Sequence, residues 1–230
     1  DETYMQCCIE LAQKGAGSVA PNPMVGAVLV HNGQIIGEGW HERYGEAHAE
    51  VNCIRQAVQN GQTDKFQEST LYVSLEPCAH FGKTPPCSDL IIKHQIPKVV
   101  IGCRDPFVEV NGKGIDKLNA AGVETVVDVL QKECMELNKR FFTFHLKHRP
   151  YIILKWAQTG DGKIALLNLT PAGGETLKDS AVQRLFISNE FTNKLVHQWR
   201  SEEASILVGT NTALLDDPQL TNRYWPGKQP

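Results

Sequence analysis

An Asn-Gly pair between two apolar runs is the feature that most limits the fold of this chain. Asn32 and Gly33 separate residues 24–30 from residues 34–40, and both runs are long enough to form strands. Asn-Gly favours the two-residue turn of an antiparallel hairpin, so the sequence predicts two paired strands here. A helix is predicted before the hairpin at residues 4–14, ending at Gly15.

Helices and strands alternate after the hairpin. Apolar periodicity predicts helices at residues 47–60, 87–94 and 114–121. It predicts strands at residues 71–75, 98–102 and 123–127. A hairpin followed by this alternation predicts an α/β sandwich with a mixed sheet, and we assign residues 1–146 to this domain.

A second unit is predicted after a short linker. Apolar periodicity is lost over residues 145–150, and we place the linker at residues 147–150 and the second domain at residues 151–230. Within it the sequence predicts strands at 151–156 and 205–209, a Gly-rich turn at 159–162 and a helix at 189–200. About eighty residues are few for an α/β domain with its own core, so we expect this unit to be incomplete.

Charge and cysteine content narrow the function classes. The chain has 230 residues, a formal net charge of -3 and no long Lys/Arg block, which argues against a general nucleic-acid-binding surface. Its longest apolar runs have strand length, so no membrane span is expected. Seven cysteines, with Cys7 and Cys8 adjacent and no signal peptide before them, predict a cytosolic protein with free thiols.

One histidine and two cysteines form a candidate metal site. His48 lies at the start of a predicted helix, Cys78 follows a predicted strand, and Cys87 begins the next helix. Three nitrogen and sulfur ligands leave one position of zinc open, which is typical of catalytic rather than structural zinc. Glu50, two residues after His48, is the natural proton carrier beside such a site.

Two interpretations of these three residues that involve no catalysis stay open at this point. A structural zinc site would need a fourth protein ligand, and His80 or Cys53 would have to supply it. Alternatively, the three residues are a core histidine and two buried thiols that bind no metal.

The order His-x-Glu and then Pro-Cys is the signature of zinc deaminases. Eight residues separate Cys78 from Cys87, whereas the general signature has two, which argues against deaminases of free bases, nucleosides or transfer-RNA adenosine. Residues 77–87 (PCAHFGKTPPC), together with residues 21–27 (PNPMVGA) and 48–50 (HAE), resemble the bifunctional deaminase/reductase family of riboflavin biosynthesis.

The resemblance implies a cytidine-deaminase-like α/β/α sandwich in which His48, Cys78 and Cys87 hold zinc and Glu50 shuttles protons. The implied substrate is a diaminohydroxypyrimidine with a ribosylamino phosphate, which loses one ring amine to give the uracil. The implied partners are this small molecule and, in a homodimer, a second copy of the chain. The predicted substrate contacts are Asn22, His41, Lys83, Thr84 and Asp105. Members of the family often have Asn where this chain has Phe107.

Residues 155–163 and 206–218 resemble the reductase half of the same family, which has a dihydrofolate-reductase-like α/β fold. The implied NADPH contacts are Ala157, Thr212 and Asp216. The implied contacts to the reductase substrate are Arg200, Leu220 and Arg223. The later Gly-rich segment of that family has no counterpart in these 230 residues, so we expect a truncated domain with weak or no NADPH binding. Residues 166–184 fit the family pattern poorly and are interpreted as a mobile loop.

Overall fold

The computed structural model of the chain describes residues 1–81, 85–164 and 187–230. These residues divide into two units, Asp1–Tyr151 and Ile152–Pro230. Among the described helices, none combines the length and the apolar composition that a membrane crossing requires.

The first unit is built on a five-stranded mixed sheet. Its strands are β1 (Gly26–His31), β2 (Gln34–Trp40), β3 (Thr70–Val73), β4 (Lys98–Ile101) and β5 (Glu124–Val126). Its α-helices are α1 (Glu2–Gln13), α2 (Ala49–Gln59), α3 (Cys87–Lys93), α4 (Lys113–Ala120), α5 (Gln131–Leu137) and α6 (Lys139–Lys147), with a 3₁₀ turn at Thr63–Glu68. The strand order is β2-β1-β3-β4-β5.

The predicted hairpin and the mixed sheet are confirmed. Asn32 and Gly33 both have positive φ, 48° and 78°, as a type I′ turn requires. Strand β1 pairs antiparallel with β2 and β3, whereas β3, β4 and β5 run parallel. Because β3 and β4 are parallel, the loops that follow them, with Cys78 and Asp105, leave from the same edge of the sheet.

Alternation along the strands divides the core into two layers. Residues that face one side share a cluster with helices α2, α3 and α4: Ala27, Leu29, Leu71, Val73, Val99, Ile101, Cys53, Ile54, Ile91 and Leu118. Residues that face the other side share a cluster with helices α1, α5 and α6: Val28, Val30, Tyr72, Val100, Met5, Cys8, Ile9, Cys134 and Phe142. The unit is therefore the α/β/α sandwich that the sequence predicts.

The end of the first unit differs from the sequence analysis. Helices α5 and α6 were not predicted, and α6 continues to Lys147, into the segment that had lost its apolar periodicity. Phe142 is the buried residue of α6, whereas Leu146 and Lys147 in its last turn are exposed. The helix continues there through its backbone hydrogen bonds, the last of which runs from the His148 N–H to the Phe144 carbonyl oxygen at 3.0 Å.

The second unit contains one helix of regular length among its described residues. Helix α7 (Glu190–Glu202) confirms the predicted helix, and the Asn189 side chain caps it by accepting from the N–H of Thr192. The predicted turn at residues 159–162 is present, with Gly162 at a φ of 81°. The predicted strands at 151–156 and 205–209 are wrong, since neither segment pairs with another described segment and a strand exists only as part of a ladder. The predicted mobile loop at residues 166–184 lies outside the described residues.

Candidate metal centre

Three donor residues meet where loops enter two helices. His48 is the N-cap residue of α2, Cys87 is the first residue of α3, and Cys78 lies in the loop after β3. Their ligand atoms all lie within 4.8 Å of one another. The structure therefore brings together all three residues that the sequence predicts as metal ligands.

The distances between the donor atoms suit a tetrahedral zinc ion. His48 Nδ1 lies 3.4 Å from Cys87 Sγ and 3.7 Å from Cys78 Sγ. Zinc bonds of about 2.3 Å to sulfur and about 2.0 Å to nitrogen, at a tetrahedral angle, place the two atoms about 3.5 Å apart. Within the described part of the chain, neither His80 nor Cys53 belongs to this cluster, so the fourth ligand of a structural site is not supplied.

Hydrogen bonds to Cys78 favour its thiolate. The Cys87 thiol lowers the pKa of Cys78 well below its usual value, and His48 and the Cys87 backbone N–H act in the same direction against the effect of burial. That N–H lies 3.3 Å from Cys78 Sγ and belongs to the first residue of α3. Since the thiolate is the form of cysteine that binds metal, the loop presents Cys78 ready for a cation.

Glu50 is buried beside the donor set. It lies in the first turn of α2 with 3% of its surface exposed. Burial raises the pKa of its carboxyl to about 6, although the charge of His48 and a hydrogen bond from the Cys87 thiol oppose this. A carboxyl with a pKa close to neutrality both accepts and releases protons readily, which suits an acid-base role.

Asn22 and His41 hydrogen-bond to each other next to His48. The Asn22 Nδ2 atom lies 3.2 Å from His41 Nε2, and His41 Nδ1 lies 3.0 Å from the carbonyl oxygen of Ala47. The Ala47 carbonyl only accepts, so Nδ1 carries the proton and Nε2 accepts from the Asn22 amide. Burial lowers the pKa of His41, which keeps the ring neutral, and its edge packs against the His48 ring at 5.5 Å between centroids.

Asp105 is the third predicted substrate contact that the structure describes. It is 7% exposed, and its Oδ1 atom accepts from the N–H of Phe107 at 2.8 Å. Burial raises the pKa of Asp105 to about 7, and the charges of Glu76 and Cys78 act in the same direction. Lys83 and Thr84, the other two predicted contacts, lie outside the described residues.

Sequence reasoning missed Asn138, which holds the loop that carries Asn22. The Asn138 side chain accepts from the N–H of Met24 and donates to its carbonyl oxygen, both at 2.8 Å. It is 3% exposed and lies between α5 and α6. Because 114 residues separate Asn138 from Met24, no local pattern signals this contact.

Replacing Asn138 with Ala is expected to lower the free energy of unfolding by about 2 to 3 kcal/mol, because both backbone groups of Met24 lose their partner. Urea denaturation of the two proteins measures this. Asn60→Ala, at an exposed position after α2, is the control and should change the free energy by less than about 0.5 kcal/mol. An equally small change for Asn138→Ala would contradict the role given to this side chain.

Two predicted reductase contacts lie together in the second unit. Arg200 Nη1 donates to the carbonyl oxygens of Gln219 and Thr221, at 3.2 Å and 2.8 Å. Arg223 Nη1 donates to the Thr221 side chain at 2.8 Å. Burial lowers the pKa of Arg200, and the nearby charge of Arg223 lowers it further. Two adjacent guanidinium groups suit an anionic ligand.

The other predicted contacts of this unit are less closely grouped. Leu220 and Arg223 line an open cavity of about 530 Å³ with Gln229 and Pro230. Thr212 and Asp216 lie at the two ends of one π-type turn, Thr212–Asp216. Ala157 lies in the irregular segment before the turn at 159–162.

Comparison with known proteins assigns both units. Residues 1–103 match the family described as the cytidine and deoxycytidylate deaminase zinc-binding region, and residues 150–230 match the RibD C-terminal domain. The riboflavin biosynthesis protein RibD of Aquifex aeolicus is 46% identical over 231 residues, covering 100% of this chain and 60% of that protein. The chain is therefore similar to RibD over its whole length.

Solved RibD structures share the fold. A diaminohydroxyphosphoribosylaminopyrimidine deaminase/5-amino-6-(5-phosphoribosylamino)uracil reductase of Thermotoga maritima superposes with a TM-score of 0.86 and 43% identity, over 100% of this chain and 61% of that one. RibD of Acinetobacter baumannii gives a TM-score of 0.84 and 37% identity, over 99% and 59% of the two chains. The family resemblance and the fold class are therefore confirmed, and the chain spans about 60% of the length of these relatives.

Proposed function

We propose that this chain catalyses the zinc-dependent hydrolytic deamination of the diaminohydroxyphosphoribosylaminopyrimidine intermediate of riboflavin biosynthesis. The products are 5-amino-6-(5-phosphoribosylamino)uracil and ammonia. The observation that carries the proposal is the buried Glu50 carboxyl beside a donor set of one histidine and two cysteines. The name of the Thermotoga maritima relative, which specifies this pyrimidine, supports the choice of substrate.

We assign the zinc ligands as His48 Nδ1 and the Sγ atoms of Cys78 and Cys87. A zinc ion bound there supplies Lewis acidity that lowers the pKa of a coordinated water. The chain contributes a thiolate at Cys78, which the Cys87 thiol and backbone N–H favour before the metal binds. The backbone N–H still donates to Cys78 Sγ when Cys87 itself binds as a thiolate. Three protein donors rather than four are the arrangement that a catalytic site provides.

Glu50 carries protons from the attacking water to the pyrimidine. The water oxygen bonds to the ring carbon that bears the amine, while the Glu50 carboxylate accepts a proton from that water. Glu50 passes this proton to the adjacent ring nitrogen. It then accepts the remaining proton from the new hydroxyl group and delivers it to the amine nitrogen, so that the ring carbonyl forms as the carbon–nitrogen bond breaks and ammonia leaves. A carboxyl with a pKa of about 6 performs both halves of this cycle near neutral pH.

Five side chains are proposed to bind the substrate. Asn22 contacts the polar edge of the pyrimidine, because its amide is fixed by the neutral imidazole of His41, and His41 adds a second contact there. Asp105 accepts hydrogen bonds from the ribose or the base. Lys83 and Thr84 supply a cation and a hydroxyl for the phosphate.

Replacing Asp105 with Asn is expected to raise KM for the pyrimidine by about tenfold and to change kcat less, since an NH₂ group replaces one of the two carboxyl oxygens that can accept hydrogen bonds in the binding site. Steady-state ammonia release measures both constants. Asp116→Asn makes the same substitution at an exposed position on α4 and serves as the control. An unchanged KM for Asp105→Asn would show that the Asp105 side chain does not bind the substrate.

We also propose that the complete protein reduces the ribosyl group to a ribityl group with NADPH. Ala157, Thr212 and Asp216 are assigned to NADPH in this proposal. Arg200, Leu220 and Arg223 are assigned to the phosphorylated substrate. The adjacent guanidinium groups of Arg200 and Arg223 support the second assignment.

A cytosolic location and a homodimer complete the proposal. All seven cysteines are free, which suits a reducing compartment. The dimer is proposed from the family resemblance alone. Measuring the molecular mass of the protein in solution tests it, and the mass of two chains is expected.

The experiment that tests the deaminase is ammonia release from the phosphoribosylaminopyrimidine by the zinc-loaded protein, with cytidine as a parallel substrate. Release from the pyrimidine alone supports the proposal. Release from cytidine would favour a nucleoside deaminase and would mean that the long segment between Cys78 and Cys87 does not select the substrate. Release from neither would favour a structural zinc module or a requirement for the remaining part of the relatives.

A further inference from the structure

We infer that Glu76 is a positioning residue for substrate binding, acting through Asp105. The inference rests on the proposed function, because Asp105 is a substrate contact only if the pyrimidine binds here. Glu76 lies between β3 and the metal-ligand residue Cys78, and it is 4% exposed. Its carboxylate is bonded to the backbone of the loop that carries Asp105.

Four backbone N–H groups donate to the Glu76 carboxylate. Oε2 accepts from Asp105 at 3.3 Å and from Gly112 at 3.0 Å. Oε1 accepts from Gly114 at 3.0 Å and from Ile115 at 3.4 Å. One side chain therefore holds both ends of the 105–112 loop and the start of helix α4.

The N-terminus of α4 stabilises the Glu76 carboxylate. The positive end of the helix dipole stabilises a negative charge, and the first N–H groups of a helix have no partner within it. Gly114 allows the close approach, because a Cβ atom there would lie 1.9 Å from the carbonyl oxygen of Pro77. The helix therefore packs directly on the residue between Glu76 and Cys78.

The same residue joins the two halves of the site. The Glu76 N–H donates to the carbonyl oxygen of Cys103 at 3.0 Å, which ties the segment after β3 to the segment after β4. Cys78 follows two residues after Glu76, and Asp105 follows two residues after Cys103. The Asp105 side chain itself bonds to Phe107 within its own loop, so that bond does not set its place relative to the metal centre.

Glu76→Gln tests this inference with little change in size. The amide replaces one oxygen by an NH₂ group, which then faces two of the four N–H donors and leaves them without an acceptor. We expect KM for the pyrimidine to rise about tenfold, with kcat within about threefold and one zinc bound per chain. Glu109→Gln, at an exposed position on the same loop, should leave all three quantities unchanged.

A double-mutant cycle separates positioning from a general structural role. If Glu76 acts through Asp105, Glu76→Gln should add no further rise in KM when Asp105 is already Asn. Independent effects would multiply, and that result would overturn the inference. Loss of zinc in Glu76→Gln would also overturn it, because Glu76 would then act on Cys78.

Amide hydrogen exchange gives a readout that does not depend on turnover. Glu76→Gln should speed exchange in residues 104–115, while the buried part of α2 around Cys53 stays protected. If the wild-type protein does not deaminate the pyrimidine, the proposed function fails, and unchanged exchange in this segment would overturn the anchoring separately. If Glu76→Gln does not fold, Glu76→Asp, which keeps the charge but shortens its reach, should show the same rise in KM and in exchange.

Discussion

Replacing Glu50 with Gln is expected to lower the rate of ammonia release by about 10³-fold or more while one zinc remains bound per chain. Gln has the shape of Glu but its amide neither accepts nor delivers a proton at neutral pH, and general acid-base catalysis contributes about 10² to 10⁴ to such rates. Zinc should remain because Glu50 is not among the three clustered donors. Single-turnover ammonia release and the zinc content of the purified protein measure the two quantities.

The control for Glu50 is Glu68→Gln, at the exposed last residue of the 3₁₀ turn, which should keep the wild-type rate. A wild-type rate in Glu50→Gln would show that another group carries the proton. Loss of zinc in Glu50→Gln would show instead that the carboxylate is a ligand.

Local signals explain why the first unit could be predicted from the sequence. The Asn32-Gly33 turn needs positive φ at both residues, and few other pairs accept this conformation. The donors could be predicted because each lies beside a helix start or strand end that short patterns reveal, such as the pair Pro85-Pro86 before Cys87.

Contacts between distant residues explain what the sequence did not reveal. Asn138 bonds to Met24 across 114 residues, and Glu76 collects four N–H groups from residues 105–115. Helix α5 was missed because it begins after Leu130, which has a φ of 53° and is not a residue that favours a helix start. Asn138 and Glu76 thus have their deciding partners far away in the sequence, where no local pattern signals them.

The second unit shows that a run of apolar residues alone does not establish that a segment forms a strand. Residues 151–156 and 205–209 have the composition of strands, yet neither pairs with another described segment. Helix α7 was predicted correctly because its hydrogen bonds are internal and its Asn189 cap is local. A helix can therefore be predicted from the sequence of its own segment, whereas a strand forms only if a second segment of the chain pairs with it.

Replacing Cys87 with Ala is expected to remove both zinc and detectable turnover. Cys87 supplies one of three donor atoms, and its thiol and backbone N–H also hydrogen-bond to Cys78, so the change removes a ligand and weakens the hydrogen bonding that favours the Cys78 thiolate. A metal that binds only the folded state stabilises it, so added zinc should raise the Tm of the wild-type protein but not that of Cys87→Ala.

Cys7→Ala is the matched control for Cys87, because it makes the same change at a free thiol on α1, outside the donor cluster. This variant should keep the zinc content, the zinc-dependent rise in Tm and the rate of ammonia release. If Cys87→Ala kept one zinc per chain with full turnover, the assigned donor set would be wrong. If it kept zinc but lost turnover, Cys87 would act through its effect on the pKa of Glu50 rather than as a metal ligand.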